Sequence, residues 1–99
     1  MKEKLDSEKI LSKIIGKRNE LKKTGAKKIG LFGSFLKGRQ KEDSDIDFLV
    51  EFEKIDFEGY YSLIKILENL FSREIDLVIE DDLKPELKHI MREAVYVEI

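Results

Sequence analysis

The chain has 99 residues, the size of one ordinary domain, and its 41% apolar residues are interspersed with 40% charged ones, which excludes a disordered or fibrous protein. No run approaches the ~20 apolar residues that cross a bilayer, and the start of the chain lacks the apolar stretch of a signal peptide. The formal charge is only -2, and the lack of cysteine excludes disulfides, thiolate zinc sites and cysteine nucleophiles. We therefore expect a single domain over 1–99, no membrane contact, a cytoplasmic location, and any metal held by oxygen ligands or by His89.

The first predicted element is a helix near the N-terminus, which Asp6 or Ser7 can cap and which Gly25 follows. Its apolar residues fall on one stripe at helical spacing: Ile10, Leu11, Ile14, Ile15 and Leu21. Residues 1–28 are also basic, with a net charge of +6 against -8 for the rest of the chain. We interpret the lysines as a solvated helix face; the less favoured alternative is that this arm binds an anionic partner, nucleic acid included.

Two strands and a tight turn are predicted next. Residues 28–32 form a short apolar run closed by Gly33 and Ser34, which predicts a buried strand entering a turn. Residues 34–36 can form a short helical turn, and a polar loop follows. In the second strand two sets of residues alternate: Ile46, Phe48 and Val50 with Asp45, Asp47, Leu49 and Glu51. One face of this strand is therefore apolar, and the other begins with two carboxylates.

The second half of the chain predicts a helix, a strand, a helix and a strand. Asp56 can cap a helix with apolar residues at helical spacing: Tyr60, Leu63, Ile64, Leu67, Leu70 and Phe71. Residues 74–79 predict a strand that is apolar except for Asp76. Pro85 suits the first turn of a last helix that carries Leu87, Ile90, Met91 and Ala94, and 95–99 can form an edge strand. The order predicts an α/β or α+β fold with helices packed on a small mixed sheet.

Three aspartates are the candidates for chemistry. Asp45 and Asp47 lie two residues apart on a strand, so their side chains point to the same face, where they repel unless a cation joins them. Such a pair alone is more often simply solvated, but Mg²⁺ is typically held by one or two carboxylates together with substrate phosphates. Asp76 adds to the pattern, because a carboxylate in an otherwise buried strand loses hydration unless something compensates. If the strands are neighbours, three acids converge as in a two-metal site; otherwise Asp76 lies in solvent at an edge or pairs with a lysine.

Gly33 and Ser34 form the second candidate feature. Glycine lets the backbone approach a ligand closely, and N–H groups at a strand-to-helix turn can bind an anion. A plain turn would also explain the dipeptide. Its spacing from the acids is more specific, because ten residues separate Ser34 from Asp45-Ile46-Asp47.

That combined motif resembles the signature of the polymerase-beta-like nucleotidyltransferase superfamily, and Asp76 lies where the family places its third acid. The chain length, the flanking apolar strands and Ser44 before the first acid are similar to the smallest branch, the minimal nucleotidyltransferase (MNT) antitoxins. Many relatives have an arginine directly after Gly-Ser, whereas this chain has Phe35. Contacts to a triphosphate on this side would therefore come from Lys37, Arg39 or elsewhere.

The resemblance implies a Mg²⁺-dependent nucleotidyltransferase that uses two metal ions and ATP. The implied site comprises the catalytic metal ligands Asp45, Asp47 and Asp76 and the nucleotide-binding residues Gly33, Ser34, Lys37 and Arg39. An acceptor hydroxyl would attack the α-phosphate in line while pyrophosphate leaves. MNT antitoxins pair with HEPN toxins and adenylylate a tyrosine of the toxin, so the resemblance also implies a HEPN-type partner.

Two other functions fit the sequence. The chain could be a catalytically inactive module that neutralises a partner by docking its acidic face, or a standalone transferase acting on a small molecule, which the lack of a substrate domain argues against. Homo-oligomer formation is left open. We interpret His89 as structural, and Tyr60 and Tyr61 as core or interface residues.

Overall fold

Four strands form one mixed sheet in residues 4–99, the part of the chain that the computed structural model describes. The strands are β1 (Ala26–Phe32), β2 (Ile46–Phe52), β3 (Ile75–Ile79) and β4 (Val95–Glu98). Their order is β3-β2-β1-β4, with β1 antiparallel to β2 and β4, and β2 parallel to β3. The predicted fold class, a small mixed sheet with helices packed on it, is confirmed.

The helices are α1 (Ser7–Gly16), α2 (Arg18–Lys22), α3 (Ser34–Lys37), α4 (Phe57–Phe71) and α5 (His89–Glu93). Two carboxylates cap the longer helices, as predicted: Asp6 accepts from the Lys9 amide at 2.9 Å, and Asp56 accepts from the Gly59 amide at 2.6 Å. Each such cap contributes about 1 kcal/mol. Both helix starts can therefore be assigned to single residues of the sequence.

The N-terminal helix is not continuous, so its prediction as one helix is wrong. α1 ends at Gly16, and the Lys17 amide donates to the carbonyls of Lys13 and Ile14 at 3.2 and 3.1 Å before α2 begins. Glycine disfavours a helix interior by about 1 kcal/mol relative to alanine, which makes this the weakest point of the segment. After the break Leu21 is fully buried, whereas Ile15, predicted on the core stripe, is 51% exposed.

The hydrophobic core lies on one face of the sheet, between the strands and the helices α1 and α4. Buried core residues from these elements are Ile10, Ile14, Ile29, Leu31, Ile46, Phe48, Val50, Leu63 and Leu67. Burial of such side chains contributes roughly 1.5–3 kcal/mol each. Because successive side chains of a strand point to opposite faces, burying Ile46 and Phe48 directs Asp45 and Asp47 to the other face. The core thus determines which side of the sheet carries the acids.

The strand that carries Asp76 lies at an edge of the sheet, and the expectation of a buried strand is wrong. Among residues 4–99, β3 pairs with β2 alone, and Asp76 is exposed. The apolar residues on either side of Asp76 in β3 pack against the core on one face of the sheet only: Leu77 is buried, and Ile75 and Ile79 are partly buried. An edge position leaves the Asp76 carboxylate hydrated, so no buried counter-charge is needed to explain it.

The C-terminal segment is more irregular than predicted. In place of one helix, short 3₁₀ turns at Glu80–Asp82 and Pro85–Leu87 precede the five-residue α5. Proline fixes the start of the second turn, as its lack of an N–H allows. β4 then forms the other edge strand, as predicted, and His89 is exposed. Within 4–99 we find no helix with the length and apolarity needed to cross a bilayer.

Candidate active site

Asp47 and Asp76 lie side by side on neighbouring strands. In the parallel pairing of β2 and β3 they are direct register partners, so their side chains share one face of the sheet. Asp45 directly precedes β2, two residues before Asp47, and its charge acts on the Asp47 carboxyl group. The structure therefore brings the three predicted acids to one end of one face, opposite the core.

The Asp47 carboxyl group is electrostatically strained. Burial, the neighbouring charges of Asp76 and Asp45, and a hydrogen bond with Asp76 together raise its pKa from 3.8 to about 6, against the lowering effect of the Ser34 amide. A carboxylate surrounded by carboxylates holds its proton more tightly because ionisation adds repulsion. This end of the sheet thus presents negative charge that a cation would relieve.

No basic side chain neutralises these acids within the described part of the chain. The ion pairs there join lysines to Glu20, Glu51, Glu80 and Glu93, and none involves the three aspartates. Nor do three acidic or histidine side chains of residues 4–99 come close enough together to enclose a metal ion by themselves. A metal at this place would need further oxygen ligands, such as water or phosphate.

The Gly33-Ser34 turn is in direct contact with Asp47. Gly33 has φ +77°, a left-handed conformation that suits glycine, and a Cβ atom there would collide with the Asp47 carboxylate, 2.9 Å from its Cγ. The Ser34 backbone N–H hydrogen-bonds to the same carboxylate. α3 begins at Ser34, directly after β1. The turn and the central acid therefore form one unit.

Arg73 joins the two loops that carry the site, and the sequence analysis missed it. Its guanidinium Nη1 donates to the carbonyls of Glu42 and Ser44 at 2.7 and 3.0 Å, in the loop that leads into Asp45. The same group lies 5.2 Å from the centre of the buried Phe35 ring, a cation–π distance. The only signal in the sequence is an arginine at a strand entry, which has no periodic pattern to mark it.

Lys37 and Arg39 follow the turn closely in sequence, but neither side chain makes a described contact with the three aspartates. Lys37 is exposed, with its Nζ 3.9 Å from Glu93. The Arg39 backbone amide donates to the Ser34 carbonyl at 2.9 Å, which closes α3. Both residues are exposed, and no described contact joins either side chain to the three acids.

A second polar cluster, also missed from the sequence, lies on the same face farther along the sheet. The Tyr96 ring covers Gly30, where an added Cβ would come within 2.7 Å of it, and the Tyr96 hydroxyl donates to the Glu80 carboxylate at 2.8 Å. Lys28 lies 4.4 Å from the ring centre, 3.4 Å from Glu51 and 4.0 Å from Glu80. Glu80 is only 4% exposed, so these partners compensate its burial.

Comparison with known proteins identifies the family. A model of the nucleotidyltransferase domain matches residues 11–97, nearly the whole chain. The chain belongs to the nucleotidyltransferase domain family.

Relatives of this nucleotidyltransferase agree with that assignment. The protein adenylyltransferase MntA of Thermococcus cleftensis is 41% identical over 96 residues, covering 94% of this chain and 97% of the relative. A solved structure described as a minimal nucleotidyltransferase superposes with a TM-score of 0.80 at 31% identity, covering 95% and 98% of the two chains. A chain of a toxin–antitoxin crystal structure with AMP-PNP superposes with a TM-score of 0.67 at 26% identity, covering 86% of this nucleotidyltransferase and 69% of that chain.

A cavity of about 440 Å³ opens beside the acids of the nucleotidyltransferase. Asp45, Ser44 and Arg73 line it together with Lys13 from α1. A neighbouring cavity of about 360 Å³ lies on the other side of Arg73 and includes Phe35. Arg73 thus separates two openings next to the loop that presents Asp45.

Proposed function

We propose that the chain transfers AMP from ATP to a hydroxyl group of a partner protein, a tyrosine of a HEPN-type toxin, and thereby acts as an antitoxin. The observation that carries this proposal is the register pairing of Asp47 with Asp76, with Asp45 on the same face and the Gly33-Ser34 turn against Asp47. The 41% identical relative is named a protein adenylyltransferase, and the 26% identical structure is a toxin–antitoxin complex with an ATP analogue. Both support this substrate class.

The acids suit Mg²⁺ as the cofactor. Asp45, Asp47 and Asp76 would hold it, since they offer only oxygen ligands and their mutual repulsion, visible in the raised pKa of Asp47, favours a bound cation. The described side chains do not enclose a metal alone, which fits an ion that takes part of its ligands from the triphosphate and water. When bound, Mg²⁺ supplies charge neutralisation to the triphosphate and acidifies the acceptor hydroxyl.

The residues of the chain then have distinct tasks. Gly33 lets the turn lie directly against the Asp47 carboxylate, and the hydroxyl of Ser34 with the side chains of Lys37 and Arg39 contacts the outer phosphates. The acceptor oxygen forms a bond to the α-phosphorus as the bond to pyrophosphate breaks. The hydroxyl proton passes to the exposed carboxylate of Asp76, and the products are the AMP ester and pyrophosphate.

Label transfer from α-labelled ATP to the partner tests the proposal. Wild type is compared with Asp47→Asn and Asp76→Asn, and with Glu68→Gln as the control, which removes an exposed carboxylate of α4. Losing one ligand removes several kcal/mol of transition-state stabilisation, so we expect both aspartate variants to lose roughly 100-fold or more in rate. Equal rates in wild type and Asp47→Asn would remove that residue from the mechanism.

The same experiment separates the alternatives. A docking module would neutralise the partner equally well in wild type and Asp47→Asn, with or without ATP and Mg²⁺. A small-molecule transferase would release pyrophosphate with an added alcohol or aminoglycoside as acceptor and leave the partner unlabelled. Label on a partner tyrosine, lost together with the acids, supports the adenylyltransferase.

A further inference from the structure

An apolar surface lies at the start of α4, beside the edge strand β3. Phe57, the first residue of the helix, is 82% exposed, Tyr61 is 61% exposed and Ile55 is 51% exposed. Single exposed apolar residues are common, but a cluster that includes a nearly fully exposed phenylalanine usually marks a contact surface. We call these three residues the α4 cluster.

A groove of about 430 Å³ connects the α4 cluster with β3. Ile55 and Phe57 line one side, and Leu77 and Ile79 of β3 line the other. The rim carries the carboxylates of Asp56 and Asp82, and no lysine or arginine lines the groove. The groove therefore suits a segment that presents an apolar side chain with lysine or arginine beside it, because such charges complement the rim.

The groove binds side chains better than it binds an added strand. The Tyr60 hydroxyl donates to the Leu77 carbonyl at 3.0 Å, at the side of β3 that lacks a neighbouring strand in the described chain. This bond occupies an acceptor that an added strand would need, a common way to protect a sheet edge. An occupant that inserts an apolar anchor leaves the bond intact.

The groove lies at β3, the strand that also carries Asp76 of the candidate site. Leu77 directly follows Asp76 in β3, so a protein seated in the groove lies next to the strand that carries this acid. Leu77 and Asp76 face opposite sides of the sheet, so an acceptor hydroxyl on such a protein reaches the acids around the edge strand β3. A surface at β4, the opposite edge of the sheet, would lie farther from Asp76.

We propose that this groove is the docking surface for the acceptor protein, which inserts an apolar side chain flanked by basic residues between the α4 cluster and β3. The inference rests on the proposed function in one respect, namely that the acceptor is a protein. It adds the surface that holds that protein and the chemistry that the surface selects.

The test compares Phe57→Ser with Ile15→Ser, using a HEPN-type toxin, the proposed acceptor protein, as the probe. Both positions are exposed helical residues, and Ile15 lies on α1 outside the groove. Affinity is measured by calorimetry and adenylylation by label transfer, after circular dichroism has established equal folding. We expect Phe57→Ser to weaken binding about tenfold or more, as loss of an interface anchor does, and Ile15→Ser to leave it unchanged.

The kinetic signature is specific to docking. Phe57→Ser should raise KM for the partner protein and leave kcat unchanged, because saturating partner restores the complex. Asp82→Asn should weaken binding more at low than at high salt, since it removes a rim charge. A lower kcat with unchanged affinity in Phe57→Ser, or equal losses of affinity in Phe57→Ser and Ile15→Ser, would overturn the assignment of the groove.

The remaining outcomes separate the two proposals. Tight binding that Phe57→Ser weakens, without any label transfer by wild type, supports the docking surface and refutes the adenylyltransferase. Label transfer by wild type that both serine variants retain at wild-type KM refutes the docking surface alone. A dimer of the chain in sedimentation that Phe57→Ser converts to monomer would assign the groove to a second copy and overturn the proposal.

Discussion

Replacing Asp47 by asparagine should stabilise the metal-free protein while removing its activity. Asp47 is partly buried against Asp76, and burial with the neighbouring acids raises its pKa from 3.8 to about 6. A folded-state pKa that is higher than the unfolded value means that ionisation destabilises the fold. The stability contribution of the proton is therefore present below pH 3.8 and is lost as the pH rises through about 6.

The magnitude follows from the same values. A rise in pKa from 3.8 to about 6 corresponds to roughly 3 kcal/mol at most. Asp47 is only partly buried, and salt screens the repulsion from the exposed Asp76 and Asp45, so we expect about 1–2 kcal/mol at pH 8. Asparagine has nearly the same shape and cannot ionise, so Asp47→Asn should gain this amount at pH 8 and almost nothing at pH 3.5.

Urea unfolding with a chelator present measures the effect at several pH values between 3.5 and 8. The difference in unfolding free energy between Asp47→Asn and wild type should grow between pH 4 and about 6.5 and then stay constant. Glu68→Gln, which changes an exposed carboxylate, should show no such rise. A variant less stable than wild type at pH 8, or a difference independent of pH, would refute the electrostatic account of the acid cluster.

Three further predictions concern residues around the site. Gly33→Ala should abolish label transfer because the added Cβ meets the Asp47 carboxylate. Gly38 has a similar positive φ but open space around it, so Gly38→Ala should keep activity and lower the unfolding free energy in urea by only about 1–2 kcal/mol. Similar activities in the two variants would contradict this explanation. Tyr96→Phe should lose about 1–3 kcal/mol of stability because the buried Glu80 loses its hydroxyl donor, and an unchanged urea midpoint would speak against it. Arg73→Lys removes the guanidinium that donates through Nη1 to the Glu42 and Ser44 carbonyls and lies 5.2 Å from the centre of the Phe35 ring. It should therefore raise the Mg²⁺ concentration needed for half-maximal label transfer about tenfold, and an unchanged Mg²⁺ titration would remove Arg73 as a positioning residue.

Much of the fold could be predicted because local patterns and core burial agree. The alternation of Ile46, Phe48 and Val50 determined the face of β2, and with it the side on which Asp45 and Asp47 lie. Helix caps such as Asp56 were equally local. The break after Gly16 was missed because the helical stripe of apolar residues continues across it to Leu21, which is fully buried.

The residues of the candidate site could be proposed from the sequence, but the strand order and the side chains that hold them in place could not. The spacing of the Gly-Ser turn and the acids is a sequence property, whereas the pairing of Asp47 with Asp76 depends on strand order, which no single segment encodes. Arg73 and Tyr96 act through contacts with residues 29 and 16 positions or more away in sequence, so nothing local marks them. For the same reason, the sequence could not show that β3 lies at an edge of the sheet.

The parallel pairing of β2 with β3 also has a consequence for biosynthesis. A hairpin of β1 and β2 can form as soon as residue 52 has left the ribosome, but a parallel neighbour requires the whole crossover through α4 before its strand can join. The nascent chain therefore carries two of its acids long before the third can align with them. The proposed transfer reaction therefore cannot begin until most of the chain has been synthesised.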